Sequence, residues 1–172
     1  TYRTYYLAAA WEALGDFPNA IVLYDRAAAT GADSPFIHRS KWWAARLTED
    51  LGDAAGASAR YLSIVVDGPS GEFSEDAAFR AGYSQYRAGV PAGAITTWDA
   101  IGATTDTRLL YWRGRAYAAI GDTTSAAAQF QAAVAAGPRS FYGLESARQL
   151  GTPTNDDVSY RALGDIPAID WA

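Results

Sequence analysis

Two segments of the chain carry one aromatic residue between two arginines, with spacings of three and four residues. On an α-helix these spacings place the three side chains on one face. An aromatic ring can stack on a sugar ring or a peptide group, while guanidinium groups bind carboxylates through paired hydrogen bonds. The pattern therefore predicts recognition of peptidoglycan or of a protein tail that ends in a carboxylate. The two sets are Arg39, Trp42 and Arg46, and Arg108, Tyr111 and Arg115.

The same two sets also have a purely structural interpretation. Aromatic residues at helical spacing usually belong to a core, and arginine side chains often pack over them. Trp43 and Trp112, which neighbour the two sets, are predicted to be buried between helices. The residues alone leave both interpretations open.

The remaining polar residues predict no catalytic residue, no metal site and no cofactor. The chain has no Cys and one His, His38, which argues against zinc–thiolate sites and most Ser-His-Asp triads. Glu72, Glu75 and Asp76 lie at a predicted helix start, where the helix dipole favours negative charge. The segment 68–71 resembles a turn between repeats, because no Gly-Lys-Ser/Thr sequence follows it.

The composition argues against nucleic acid as a partner and against a membrane span. The net charge is −5 and the pI is about 4.7, so nucleic-acid binding is not expected. The most apolar run, 61–66, is far shorter than the ~18 residues of a membrane span. Because the sequence contains no Met, we expect a segment of a longer or processed protein, with any targeting signal outside it.

A short motif of an apolar residue, glycine and aspartate recurs along the chain. It surrounds Gly15, Gly52 and Gly121, with weaker versions at Gly89 and Gly151, so that successive glycines are 37, 37, 32 and 30 residues apart. Glycine after an apolar residue ends a helix, because glycine enters the left-handed conformation without a Cβ clash. The aspartate that follows is expected to cap the next helix.

Between these motifs the sequence predicts helices and no strand. After each motif comes a small residue, an aromatic residue four positions later, and a small or branched residue three positions after that. The stripes are Ala20-Tyr24-Ala27, Ala57-Tyr61-Ile64, Ala94-Trp98-Ile101 and Ala126-Phe130-Ala133. The nine predicted helices span 2–14, 17–30, 35–50, 54–66, 74–88, 91–103, 107–120, 123–136 and 140–150.

These stripes and their glycines resemble the tetratricopeptide repeat (TPR) superfamily. The best matches to its signature are Leu7, Ala8, Trp11, Gly15, Ala20, Tyr24 and Ala27, and Gly114, Tyr117, Gly121, Ala126, Phe130, Ala133 and Pro138. Thr48 and Gln85 depart from it, because a large aromatic residue is usual there. The resemblance implies an all-α, right-handed superhelix of about four helix pairs over residues 1–151 with a final helix, and an irregular tail or linker over 152–172.

In a TPR stack the first helix of each pair lines a concave face. Counting from the aligned glycines, Tyr2 and Glu12 also take inward positions. The predicted groove for a ligand or partner consists of Tyr5, Arg39, Trp42, Arg46, Phe79, Tyr83, Arg108, Tyr111 and Arg115.

A narrower resemblance covers about forty residues. The segment reads Tyr111-Trp112-Arg113-Gly114-Arg115-Ala116, then Ser140-Phe141-Tyr142-Gly143-Leu144, and ends at Leu150-Gly151. It is similar to the end of the helical superdomain of soluble lytic murein transglycosylases, in which a lysozyme-like catalytic domain follows. The resemblance implies the non-catalytic part, because Glu145-Ser146 is followed by Ala147 and lies inside a helix, unlike the Glu-Ser-Gly of the catalytic domain.

Two functions are therefore expected for a chain that is not itself an enzyme. The first is the scaffold or substrate-positioning region of a peptidoglycan lytic transglycosylase in the bacterial cell envelope, periplasmic or extracytoplasmic, with a catalytic domain downstream. The alternative is a TPR scaffold that binds a peptide or partner helix in its groove.

Overall fold

The structure, a computed structural model, describes residues 1–30, 34–68 and 71–152. Within these ranges all regular secondary structure is α-helical, which confirms the predicted all-α class. The chain divides into two compact units, Thr1–Ala103 and Thr104–Ala172, and the second is described as far as residue 152. Most of the predicted tail, 152–172, lies outside the described residues.

Unit 1 contains six helices, and each one packs against the next along the chain. They form three pairs, in which the first helix of one pair also covers the second helix of the pair before it. The helices are α1 (Tyr2–Ala13), α2 (Phe17–Ala28), α3 (Pro35–Asp50), α4 (Ala54–Asp67), α5 (Ser74–Arg87) and α6 (Pro91–Ile101).

Unit 2 contains a fourth pair and a final helix, which contacts both members of that pair. These helices are α7 (Thr107–Ala119), α8 (Thr123–Ala136) and α9 (Phe141–Gln149). All nine described helices start and end within two residues of the predicted bounds. None of the helices in the described ranges has the length and hydrophobicity that a membrane crossing needs.

The recurring motif works as a helix stop followed by a helix start. Gly15 has φ of +79°, and its motif-equivalents Gly52, Gly89 and Gly121 have nearly the same value. Asp16 then caps α2 by accepting a hydrogen bond from the Asn19 backbone N–H at 3.2 Å. Equivalent caps begin α4 and α8, whereas α6 begins at Val90 without a side-chain cap.

The aromatic residue of each second helix fills the core against a small residue on the first. In the third and fourth pairs that small residue is glycine. A Cβ on Gly82 would lie 2.6 Å from the Trp98 Nε1 atom, and one on Gly114 would lie 2.7 Å from the Phe130 Cε1 atom. Because Trp98 and Phe130 are both buried, these two rings have little room to move away.

In the first and second pairs the aromatic residue is tyrosine, and its hydroxyl is tied to the first helix. Tyr24 Oη donates to Glu12 Oε2 at 2.7 Å, and Tyr61 Oη donates to Glu49 Oε2 at 2.9 Å. Both tyrosine side chains are fully buried. A phenol hydroxyl in the core requires an acceptor, and the carboxylate twelve residues earlier supplies it.

Thr48 and Gln85, the two residues that depart from the TPR signature, also have hydrogen-bond partners. The Thr48 hydroxyl donates to the Ala44 carbonyl at 2.7 Å, inside its own helix. The Gln85 amide nitrogen donates to Ser58 Oγ at 2.7 Å and to Thr97 Oγ1 at 2.9 Å. Gln85 thus joins α5 to the helices on both sides of it by hydrogen bonds, where an aromatic residue would join them by packing.

Candidate functional site

The predicted groove residues of unit 1 lie on its three first helices, α1, α3 and α5. We call the surface they form the first-helix face; it consists of Tyr5, Trp42, Arg46, Phe79 and Tyr83. The rings on this face serve mainly as packing. Trp42 and Phe79 are only 8% and 7% exposed, and Tyr5 is half-buried.

Each of these rings has aromatic neighbours. Trp42 stacks on Phe73 with centroids 5.1 Å apart and meets the Tyr61 ring edge-on at 5.5 Å. Phe79 stacks on Tyr83 at 4.8 Å. The faces of these rings are therefore largely occupied by other rings, and little of them is left to stack on a ligand.

A buried carboxylate is hydrogen-bonded to Tyr61, the ring that Trp42 meets edge-on. The side chain of Glu49 is 10% exposed, and its Oε2 atom accepts from Tyr61 and, at 2.9 Å, from Arg80 Nη1. The Arg80 guanidinium also lies over the Trp42 ring at 5.9 Å. Arg80 was not among the predicted site residues; its position one turn before Ser84 and facing α3 depends on how the helices pack.

One turn before Glu49, whose own Oε1 atom is buried without a partner among the described residues, lies Arg46. Its Nε atom is buried and has no hydrogen-bond acceptor among the described residues. The rest of the side chain is partly exposed. A buried donor without a partner is costly. Because Nε itself is closed to solvent, an incoming anion would have to accept from the terminal nitrogens of the guanidinium.

Arg39, the other arginine of the first set, makes a weak contact. Its Nη2 atom lies 3.8 Å from the Glu72 Oε1 atom, and both side chains are about half exposed to solvent. Exposed ion pairs of this kind contribute little, so Arg39 stays available for a ligand at small cost.

In unit 2 the second set forms a compact cluster. Arg115 Nη1 donates to Tyr111 Oη at 2.9 Å, and its guanidinium carbon lies 5.8 Å from the centroids of both the Tyr111 and Trp112 rings. Tyr111, which is buried, also contacts Tyr142 of α9 at 5.5 Å. Arg108 folds back on Asp106, with Nη2 3.2 Å from Oδ2.

The titratable groups of the core suit structure and not proton transfer. Burial raises the pKa of Tyr61, and the charge of Glu49 and the hydrogen bond to it raise it further. Burial and the hydrogen bond to Glu12 raise the pKa of Tyr24 in the same way. Both hydroxyls therefore stay protonated at physiological pH.

The structure assembles no evident reaction centre from the described residues. Glu145 pairs with Arg148, and the neighbouring Ser146 is buried. No group of three or more His, Cys, Asp or Glu side chains within the described ranges could hold a metal ion. A pocket of about 330 Å³ lies where α3 and α5 end, lined in part by Glu49, Asp50 and Arg87.

Comparisons with known proteins agree with the repeat architecture. The tetratricopeptide repeat family matches residues 108–140, which cover α7 and α8. The structure is similar to the nearly identical TPR-like repeats of a kinesin light chain from Podosopora anserina, with a TM-score of 0.54 and 16% identity over 86% of this chain and 82% of that one. This likeness supports the fold alone.

A thermophilic TPR protein from Thermus thermophilus is also similar, with a TM-score of 0.46 and 22% identity over 87% of this chain and 82% of that chain. No curated protein matches the sequence. Residues 108–140 therefore match a tetratricopeptide repeat, and the described chain has the fold of a TPR-like helical repeat.

Proposed function

We propose that unit 1 binds an extended peptide of a partner protein along the first-helix face, with a peptide carboxylate on Arg46. The observation that supports this proposal is the Arg46 guanidinium, whose buried Nε atom has no acceptor among the described residues. An arginine is suited to this role, because its planar fork binds both oxygens of a carboxylate.

The surroundings of Arg46 favour a peptide over a small anion. The partly exposed rings of Tyr5 on α1 and Tyr83 on α5 lie on the other two first helices, and they provide an apolar floor. An extended chain would lay its side chains on such a floor while one carboxylate reaches the guanidinium.

Selection from a displayed library of peptides with free carboxyl termini tests this function. We expect the enriched peptides to carry an acidic side chain or to need their terminal carboxylate. Calorimetry should show at least about tenfold weaker binding for Arg46→Gln, since one charge-assisted bond is lost. Arg26→Gln, at an exposed position of α2, is the matched control and should bind normally. Equal binding by Arg46→Gln, or no enrichment, would refute the proposal.

A second candidate function is the positioning of peptidoglycan beside a lytic transglycosylase domain in the bacterial envelope. One observation favours it: the two halves of the transglycosylase-like segment contact each other, through Tyr111 on α7 and Tyr142 on α9. Soluble muropeptides should then bind the chain and lose affinity in Tyr142→Ala. A lysozyme-like domain encoded after Ala172 would support this candidate, and a natural stop codon there would defeat it.

A further inference from the structure

One face of α1 is apolar and largely exposed. At 100° per residue, Tyr2, Tyr6, Leu7, Ala10 and Leu14 lie within an arc of about 140°. Tyr6 is 51% exposed and Leu7 is 52% exposed, while the Phe36 ring of α3 contacts the edge of the arc at Tyr2 and Tyr6, with centroids 5.4 and 5.9 Å away. The one charged residue on the same arc is Arg3.

The equivalent face is buried in the next two first helices. By the spacing of the glycine motifs, Leu7 corresponds to Ala44 on α3 and to Ala81 on α5, and both of these are fully buried. Ala10 corresponds in the same way to Leu47 and Ser84, which are also buried. Leu7 therefore occupies a position that this architecture normally covers.

The helix that covers this face is known for both α3 and α5. Ala20 and Tyr24 of α2 share one core cluster with Ala44 and Leu47 of α3. The stripe of α4, with Tyr61 and Ile64, shares another cluster with Ala77 and Ala81 of α5. In each case the covering element is the second helix of the preceding pair.

The exposed face of α1 lacks the polar residues expected on the outer face of a terminal repeat. Helical repeats that end a stack need a polar outer face to stay soluble. The solvent side of α2 meets that need with Asn19, Asp25 and Arg26, whereas the arc on α1 offers Arg3 alone. Contiguous exposed apolar surface of this kind marks an interaction site.

We propose that this face, centred on Leu7 and Ala10, is the seat of the second helix of a further TPR-like pair. That helix would carry the small–aromatic–apolar stripe seen in α2 and α4. It would also carry a carboxylate for Arg3, because the equivalent residues Ser40 and Ala77 are fully buried. A second copy of the chain could offer this face at most its α6, since α2, α4 and α8 are already covered by the helices that follow them, and sedimentation tests that case.

The test adds such a helix to the full chain in the correct register. Residues 35–74 are placed before Thr1, so that the copy of α4 precedes α1 as α4 precedes α5. The chain lacks Cys, so a Leu7→Cys substitution gives one reactive thiol whose rate of maleimide labelling reports coverage. We expect labelling to slow at least about tenfold in the fusion, because reaction then requires local opening.

Two matched variants make the result interpretable. Val22→Cys, on the exposed side of α2, should react equally fast with and without the added pair. Ala10→Arg, at an exposed position within the face, should restore fast labelling of the Leu7→Cys thiol in the fusion while the chain alone stays folded. Equally fast labelling of the Leu7→Cys variant with and without the added pair would overturn the proposal. Protection of this thiol in the chain alone, together with a dimer in sedimentation, would overturn it in favour of a second copy.

Discussion

The first two helix pairs and the last two solve the same packing problem with different residues. In the pairs α1–α2 and α3–α4, alanine faces a tyrosine whose hydroxyl is bound by a glutamate on the first helix. In the pairs α5–α6 and α7–α8, glycine faces Trp98 or Phe130, and a Cβ at the glycine would collide with the ring.

This difference shows that two positions of the repeat change together. Where the ring carries a hydroxyl, the first helix supplies a carboxylate at Glu12 or Glu49. Where the ring lacks one, that position holds Tyr86 or Ala118. A buried hydroxyl without an acceptor would be costly, so the acceptor is kept only where it is used. Glycine, in turn, is used where the ring lies directly on the helix backbone.

The pairs in which glycine faces the ring should be more sensitive to substitution than the pairs in which alanine faces a tyrosine. Gly82→Ala should destabilise the protein by about 3 kcal/mol, because the fully buried Trp98 ring cannot move away from the new methyl group. The better helix propensity of alanine, ~1 kcal/mol, offsets only part of that loss. Urea unfolding followed by circular dichroism measures the change.

Ala45→Gly in the second pair is the control for this prediction. It occupies the equivalent position, and it should cost about 2 kcal/mol, from the lower helix propensity of glycine and the loss of a buried methyl group. If Gly82→Ala lowers the free energy of unfolding no more than this control, the glycine and alanine positions do not differ in the way that the structure indicates.

Loss of the hydrogen bond between Tyr61 and Glu49 should have the next largest effect on stability. Tyr61→Phe removes the hydroxyl from a nine-tenths buried carboxylate, and we expect a loss of about 2 kcal/mol in the free energy of unfolding. Phe130→Tyr tests the converse. It adds a hydroxyl where Ala118 replaces the glutamate, and it should also destabilise, in a manner that a second substitution, Ala118→Glu, partly corrects. An unchanged free energy of unfolding in both Tyr61→Phe and Phe130→Tyr would contradict the proposed coupling between the ring position and the glutamate position.

The buried tyrosine–glutamate hydrogen bonds also predict that stability changes with pH in the alkaline range. The pKa values of Tyr24 and Tyr61 are raised by folding, so both stay protonated in the native state when the unfolded chain ionises. Stability is therefore full below about pH 10 and declines above it, by up to about 1.4 kcal/mol per pH unit for each tyrosine. Urea midpoints at pH 9, 10 and 11 should fall accordingly. A Tyr24→Phe, Tyr61→Phe double variant should show a shallower decline, and an unchanged slope would contradict the assignment.

The smallest expected effect concerns the missing cap of the third pair. Val90 stands where Asp16, Asp53 and Asp122 cap the other second helices, and α6 begins without a side-chain cap. Val90→Asp should stabilise the protein by about 0.5–1 kcal/mol through a bond to the Gly93 N–H. Val90→Asn is a useful comparison, since it keeps the cap without the charge. A lower urea midpoint in both variants would contradict this prediction.

The helices were predictable because their signals are local. Glycine stops and aspartate starts act within one turn, so the bounds of α8 at Thr123 and Ala136, between Asp122 and Gly137, could be read directly. The predicted aromatic stripes are confirmed as core at Tyr24, Tyr61 and Trp98. The tie between Glu12 and Tyr24 was missed, although the same twelve-residue spacing recurs between Glu49 and Tyr61.

The candidate site was less predictable, because helical spacing fixes a face and not its neighbours. Trp42 and Arg46 share a face of α3, yet the ring is enclosed by Tyr61 and Phe73 while the guanidinium lacks an acceptor for Nε. Only the packing of α4 and α5 against α3 separates them. The groove assignment itself stays a prediction.

The placement of the indole rings has a practical consequence for studying this molecule. Each helix pair contains at least one tryptophan: Trp11, Trp42 and Trp43, Trp98, and Trp112. Trp98, fully enclosed with its N–H bound to the Phe79 carbonyl at 3.1 Å, should emit at the shortest wavelengths, and the partly exposed Trp11 and Trp112 at longer ones. Since neighbouring repeats support one another while distant ones do not, loss of one pair need not unfold the rest. Changes in emission colour during denaturation would therefore reveal which pair opens first.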